Sequence, residues 1–484
     1  MPSSLKPVVQ ETLSPGGLPL ELWLMVMKLL PNRSARSCLQ VCRSWHDMAL
    51  TVLFRTVKLH FLGPGLAFYD DCSTQQKVLS VPISERSWEI LDYIATNSTF
   101  GKAIKYIVVY ASVAPLAFEK LCLIKALRCM PHLLGFEWIS ENSPSIIQHI
   151  QQTLLVSCRN LRHLRYPLDT MPPPFDPFPQ KLTSLNLTPA EMWENEDNAF
   201  WYIIDVFPSS LDTLTSLTLA CVSMKDIPTQ MFQMFARLRE LALWEPYEID
   251  ALLLPLRHEK ALESLSLRCA DGGDNLRTFL RGATALLPRL TTFLLTSDEY
   301  IESDDLNAIR DFLIAHPGLM RLHLCIYCPS QLTPILYPAL AKLQSLEALW
   351  LDTGPGETLD IRPLLAVLPR SLQVLVLYVH HDCFGELLRC LTEFSHLRSL
   401  CVPYELPLTP QVLAMELEHL TFVAAGKSVQ YVERGFSDGK VELCRAPLLE
   451  VATWHPSDFD DPNMAWMAED LKSWITSAEW KVLH

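Results

Sequence analysis

From residue 104 onward one apolar motif recurs: an apolar residue, two variable positions, an apolar residue, one variable position, an apolar residue. Its copies begin at Ile104, Leu133, Leu161, Leu182, Leu214, Leu238, Leu262, Leu290, Leu319, Leu346, Leu372, Leu397 and Leu417, with a weaker one at Leu448. The thirteen steps from 104 to 448 give a mean period near 26, although single spacings run from 20 to 32. The last three positions of each copy alternate as a half-buried strand does. Helical segments lie between copies, including Leu306 to His316, Ile335 to Leu343 and Phe384 to Phe394. Strand then helix, repeated, predicts parallel strands inside and helices outside, an α/β solenoid in which each unit buries its apolar residues against its neighbours. A doubly wound α/β domain also alternates strand and helix, but it has no need of so regular a motif.

The N-terminal pattern is of another kind. Residues Leu18 to Leu59 hold 24 apolar residues in 42, against 49% for the whole chain. Pro19 suits a first helical turn. Leu22, Met25, Val26 and Leu29 then form one helical stripe, and Trp23, Met27 and Leu30 form another. A helix apolar on two faces needs cover on both. Pro31 stops it, Ser34 can cap a second helix towards Val41, and Trp45, Met48, Ala49, Val52 and Leu53 mark a third. Three helices of this size bury too little to stand alone, so the pattern predicts docking. Packing of the second stripe on the protein's own remaining chain is the competing expectation.

Both patterns carry a family resemblance. Leu18-Pro19, Glu21-Leu22, Met25, Leu29, Val41-Cys42-Arg43-Ser44-Trp45 and Leu53-Phe54-Arg55-Thr56-Val57 resemble an F-box, with Ala35 where a larger aliphatic residue is usual. The resemblance implies binding to the Skp-type adaptor of a cullin-based ubiquitin ligase, with Leu18, Pro19, Leu22, Met25, Leu29, Val41, Trp45 and Leu53 as contact or core residues. The recurring motif resembles leucine-rich repeats, whose period it shares. The Asn or Cys expected three residues after the last leucine is mostly absent: Val222, Pro246 and Ala270 occupy that place. The expected organisation is a disordered tail over 1–17, an F-box over 18–59, a junction over 60–103, a solenoid over 104–455 and a capping helix over 456–484. In that last helix Met467, Leu471, Trp474 and Ile475 share a face, expected to cover the final repeat together with Trp454 and Trp480.

Composition narrows the function. With 19% charged residues and 16 glycines in 484, this is a folded chain. Its net charge of −14 divides into +4 within Leu18 to Leu59 and −18 elsewhere, which argues against nucleic acid as the main ligand. No apolar run reaches 18 residues, so no membrane span is expected, and a cytoplasmic or nuclear location follows. The 14 cysteines are scattered, as reduced core residues would be. Cys325-Ile-Tyr-Cys328 lacks a second pair, and His380-His381-Asp382-Cys383 lacks a matching cluster, so neither makes a metal site. The biased stretch from Met171 to Pro179 suits a stiff loop. No phosphate loop, nucleophile elbow or HExxH motif occurs, so neither catalysis nor a cofactor is expected.

Alternation sends the variable strand positions to the concave side. Side by side these are Glu240 and Trp244, Ser266 and Arg268, Thr292 and Thr296, Arg321 and His323, Trp350 and Asp352, and Val376 and Tyr378. Trp, Tyr and Arg are enriched at binding hot spots. Glu240, Trp244, Arg268, Arg321, His323, Trp350, Asp352 and Tyr378 are therefore the expected target surface. The whole reads as a non-catalytic, substrate-recognition subunit of a cullin-type ligase. A repeat scaffold that assembles no ligase is the alternative.

Overall fold

In a computed structural model of the 484-residue chain, the described residues are 19–61 except 31, 80–111, 117–140, 147–168, 181–189, 199–257 except 221 and 226, 261–269, 273–328, 333–353, 361–377, 384–402, 410–434 except 426–427, 441–445, 459 and 462–468. They fall into two compact units that divide at residues 167 and 168.

The first unit opens with helices α1 (Leu20–Leu29), α2 (Asn32–Cys38) and α3 (Arg43–Leu53). Pro19 is the residue before α1, and its carbonyl accepts from the Leu22 and Trp23 amides at 3.1 and 3.3 Å. Leu30, which precedes Pro31, is extended at ψ 140, as the proline ring requires of its neighbour. Ser34 lies inside α2 rather than capping it, because the helix starts two residues earlier at Asn32. Then come β1 (Thr56–Phe61), α4 (Ser80–Thr96), α5 (Ser98–Ala103), β2 (Tyr106–Ala111), α6 (Ala117–Leu127), β3 (Gly135–Ser140), α7 (Ile147–Ser157) and β4 (His163–Leu168). Strands β1 to β4 pair in parallel and in sequence order.

Strand β1 changes the expected organisation. Thr56 pairs with Tyr106, and Leu59 with Val109, so Phe54-x-x-Val57-x-Leu59 is a copy of the repeat motif. The first repeat thus begins inside the stretch read as F-box. Helices α4 and α5, read as a junction, are its crossover. That copy is hard to see in the sequence because 50 residues separate it from the next, at Ile104.

The second unit continues with β5 (Ser184–Pro189), α8 (Ala199–Val206), β6 (Ser216–Ala220), α9 (Thr229–Phe235), β7 (Glu240–Trp244), α10 (Leu253–Leu256), β8 (Ser264–Cys269), α11 (Asp274–Ala283) and β9 (Thr292–Tyr300). After these come α12 (Ser303–Ala315), β10 (Arg321–Tyr327), α13 (Tyr337–Leu340), β11 (Ala348–Asp352), α14 (Ile361–Val367), β12 (Val374–Leu377), α15 (Phe384–Leu391), β13 (Ser399–Val402), α16 (Pro410–Glu416) and β14 (Phe422–Ala425). Strands β5 to β14 are parallel and sequential. Parallel strands added in one direction by crossovers of one hand place the connecting helices on the same face of the sheet. Neighbouring helices accordingly pack on each other, α11 on α12 and α14 on α15.

The motif's apolar positions form the core. In each of the twelve copies from Ile104 to Leu397, all three apolar residues are at most 4% exposed. The copy read from Leu417 is out of register. Phe422 pairs with Ser399, so the true copy is Leu420-x-x-Val423-x-Ala425. Leu417 mimics its first position because it closes α16, where the Leu420 amide donates to its carbonyl at 3.0 Å.

The end of the sheet also departs from expectation. Strands β15 (Ser428–Arg434) and β16 (Val441–Arg445) turn antiparallel and cover the edge of β14. The Arg434 guanidinium donates to the carbonyls of Leu420, Ala414 and Leu417 at 2.6, 2.8 and 2.8 Å, tying this hairpin to the final repeat. The hairpin thus performs the capping expected of the C-terminal helix. That helix, over 462–468, lies instead on the sheet face opposite the other helices, because Met464 and Met467 share a cluster with Trp350, Val376, Cys401 and Ala424. The expected features at residues 1–17, Leu18, Met171 to Pro179, Tyr378, His380 to Cys383, Leu448, Trp454, Leu471, Trp474, Ile475 and Trp480 lie outside the described residues.

Candidate docking surfaces

The two stripes of α1 have different surroundings. Met27 is buried with Cys38, Met48 and Ala49, and Trp23, Leu30, Trp45, Val52 and Leu53 pack around them. The Trp23 and Trp45 rings meet at 5.0 Å with their planes tilted by 55°. Trp45 and Leu53, expected as contact or core residues, are therefore core. The other stripe faces outward: Leu22, Val26 and, at 60% exposure, Met25. Val41, in the turn between α2 and α3, is 64% exposed. Pro19 is exposed too. Ala35 is fully buried in α2, so the small residue is accommodated by close packing. This helix trio buries one stripe of α1 and leaves Leu22, Met25 and Val26 of the other partly exposed.

The second surface is the helix-free face of the sheet from β5 to β14. Strand pairing aligns its side chains in rungs. One rung runs Trp244, Arg268, Thr296, Cys325 and Asp352; the next runs Ala242, Ser266, Leu294, His323, Trp350, Val376, Cys401 and Ala424. The face has two parts with different chemistry.

Over β5 to β8 no described helix or strand lies across it. Glu240 is exposed, and Ser216, Thr218, Ala242, Ser264 and Ser266 are half-buried around it. The Arg268 guanidinium lies 4.7 Å from the Trp244 ring centre, a cation–π contact between strand neighbours. Beside them the loop after β7 is held tightly. The Glu245 amide donates to the Arg268 carbonyl at 2.5 Å, and the Tyr247 amide to the Val222 carbonyl at 3.0 Å. Glu245 and Glu248 take left-handed backbone angles, φ 51 and 50, that non-glycine residues rarely adopt. This fixed loop presents Tyr247 to solvent.

From β10 onward the face is covered. His323 stacks on Trp350 at 4.5 Å with an interplanar angle of 16°, and the Trp466 ring meets His323 edge-on at 6.4 Å. Trp350, His323, Asp352 and Val376 are buried rather than presented. Arg321 Nε donates to Asn463 Oδ1 at 2.7 Å, and Asn463 Nδ2 donates to Glu347 Oε2 at 3.3 Å. Of the eight residues expected on an open concave surface, the structure leaves Glu240, Trp244 and Arg268 accessible. It places Arg321, His323 and Trp350 beneath helix 462–468 and buries Asp352, while Tyr378 falls outside the described residues.

Thiols on this face are not poised for chemistry: burial holds the Cys401 thiol well above its ordinary range. Cys325 Sγ donates to Asp352 Oδ2 at 3.5 Å, while Cys328 Sγ lies 4.0 Å from Thr333 Oγ1, so the two cysteines of the CxxC have separate partners. Among the described residues no group of three or more His, Cys, Asp or Glu is arranged to hold a metal, and no helix is long and apolar enough to cross a membrane.

Comparison with known proteins covers these surfaces unequally. Residues 16–60 match the family described as F-box-like, which contains the exposed stripe of α1. No curated protein matches the chain. Among solved structures, the crystal structure of the Rad7 and Elc1 complex in yeast is similar at 14% identity, over 79% of this chain and 88% of that one, with a TM-score of 0.39.

Proposed function

We propose that this chain is the substrate-recognition subunit of a cullin-type ubiquitin ligase, with its F-box-like segment on a Skp-type adaptor and its leucine-rich repeats on a target protein. The observation that carries this reading is the outward stripe of Leu22, Met25 and Val26, with Val41 nearby, on a segment that matches the F-box-like family. Leu18, Pro19 and Leu29 belong to the same proposed contact, whereas Trp45 and Leu53 support it from within. The target would sit on the open part of the sheet face, around Glu240, Trp244 and Arg268. The chain's own contribution is proximity: a rigid body that fixes a target lysine near the charged carrier, making no bond itself. Such a subunit works in the cytoplasm or nucleus.

A pull-down tests the reading. The tagged chain is expected to capture the Skp-type adaptor and, through it, a cullin, while a Leu22→Asp, Met25→Asp chain captures neither. Failure of the unsubstituted chain to capture the adaptor overturns the proposal. Adaptor without cullin would identify an interaction scaffold instead.

A further inference from the structure

Residues 462–468 are helical and lie against the sheet face. The contact has a specific chemistry. Met464 and Met467 enter the apolar cluster of Ala348, Trp350, Val374, Val376, Cys401 and Phe422, joined by Phe459 and Trp466. Asn463 bridges opposite charges, accepting from Arg321 and donating to Glu347. A single side-chain amide can do both, which neither a carboxylate nor an ammonium can. Beneath it, Trp350 Nε1 is buried with no hydrogen-bond acceptor among the described residues. A buried donor left unmade weakens the closed arrangement relative to one that supplies an acceptor.

We propose that the helix-free face of β10 to β14 is a helix-accepting site that Phe459 and residues 462–468 occupy in cis, and that an amphipathic helix on a partner protein displaces them. The partner helix carries an Asn or Gln to bridge Arg321 and Glu347, apolar residues on the same face, and an acceptor over the Trp350 indole. This goes beyond the reading of the open β7–β8 part of the face as target-binding, and rests on that reading for the source of the competing helix. Occupation in cis also explains why Trp350 and His323, the aromatic centre of the face, are buried in the free chain.

Hydrogen exchange on the whole chain tests the first half. If the helix opens locally, the amides of Trp466, Met467 and Ala468, which lie beyond its first turn, should exchange about 100-fold faster than those of β10 to β13, as a low-stability unit on a stable sheet would. Exchange as slow as the strands overturns the proposal. The second half uses a labelled synthetic peptide spanning residues 457–470 and the whole chain carrying Asn463→Ala and Trp466→Ala. The peptide is expected to bind that variant saturably, at least about tenfold more tightly than it binds the unsubstituted chain, since the cis helix no longer competes. It should lose that affinity when Trp350→Ala is added. No binding to a variant whose 466–468 amides exchange freely overturns the proposal. These measurements do not involve the adaptor: a failed pull-down with a displaceable helix would strike the ligase reading alone, and the reverse pattern would strike this one alone.

Discussion

Arg321 Nε and Asn463 Oδ1 meet at 2.7 Å across 142 residues of sequence, which fixes helix 462–468 over the Trp350–His323 stack. The two properties of Trp350, its packing and its unmet indole donor, can be separated by substitution. Trp350→Phe keeps an aromatic plane against His323 and removes the donor, so stability should change by less than about 1 kcal/mol. Trp350→Ala empties the cluster under Met464 and Met467 and should cost about 3–5 kcal/mol. Urea midpoints of the two variants check the contrast. Equal losses would mean that the indole N–H has a partner after all.

Within the F-box-like segment the two stripes of α1 should respond oppositely. Trp45→Ala removes the ring that meets Trp23 and should destabilise the helix trio by about 3 kcal/mol. Met25→Asp alters an exposed position and should stay within about 0.5 kcal/mol. Circular dichroism melts of both chains measure this. Unfolding by Met25→Asp would place the outer stripe in the protein's own core and remove the basis for adaptor docking.

Much of this fold was legible because the motif that builds it is local. Three apolar residues per copy, spaced as a turn entering a strand, mark the buried side of each repeat wherever they occur, and the twelve copies from Ile104 to Leu397 all prove buried. The double stripe of α1 was legible for the same reason, since one helix's periodicity shows both its faces. The copies at Phe54 and Leu420 were not: one is followed by a long insertion and the other is preceded by Leu417, which imitates its first position. Part of the expected concave surface is covered for a different reason. Alternation tells which residues leave the core side, but not what else in the chain lands on them. Nothing near Arg321, His323 or Trp350 announces Asn463 or Trp466, because the contact is set by where the chain returns after its last strand.

Gly101 offers a test in which local and tertiary effects have opposite signs. It lies in α5, where alanine would ordinarily improve helix propensity by about 1 kcal/mol. A Cβ there would stand 2.5 Å from the Cys129 carbonyl oxygen, a backbone atom that cannot swing aside. Gly101→Ala should therefore destabilise the first unit by about 1–3 kcal/mol. A rise in melting temperature would show that the turn at Cys129 yields at little cost.

The pH dependence of the first unit should be set in part by His60. On β1 it stacks against Tyr110 at 5.0 Å, and its backbone amide donates to Ser87 Oγ at 2.8 Å. Burial, reinforced by the Lys58 charge two residues away, lowers its pKa from 6.5 to about 4. The folded unit therefore binds fewer protons than the unfolded chain between those two values. Its stability is fully present above pH 6.5 and declines as the pH falls from there towards about 4, because the unfolded imidazole takes up a proton that the folded one refuses. His60→Phe keeps a ring against Tyr110 and has nothing to titrate. Melting temperatures recorded from about pH 7 to about pH 5 should fall for the unsubstituted chain and fall less for the variant, the range stopping short of where most carboxylates protonate. Identical slopes would mean that His60 gains a proton without loss of packing, as it could only if its pocket admits water.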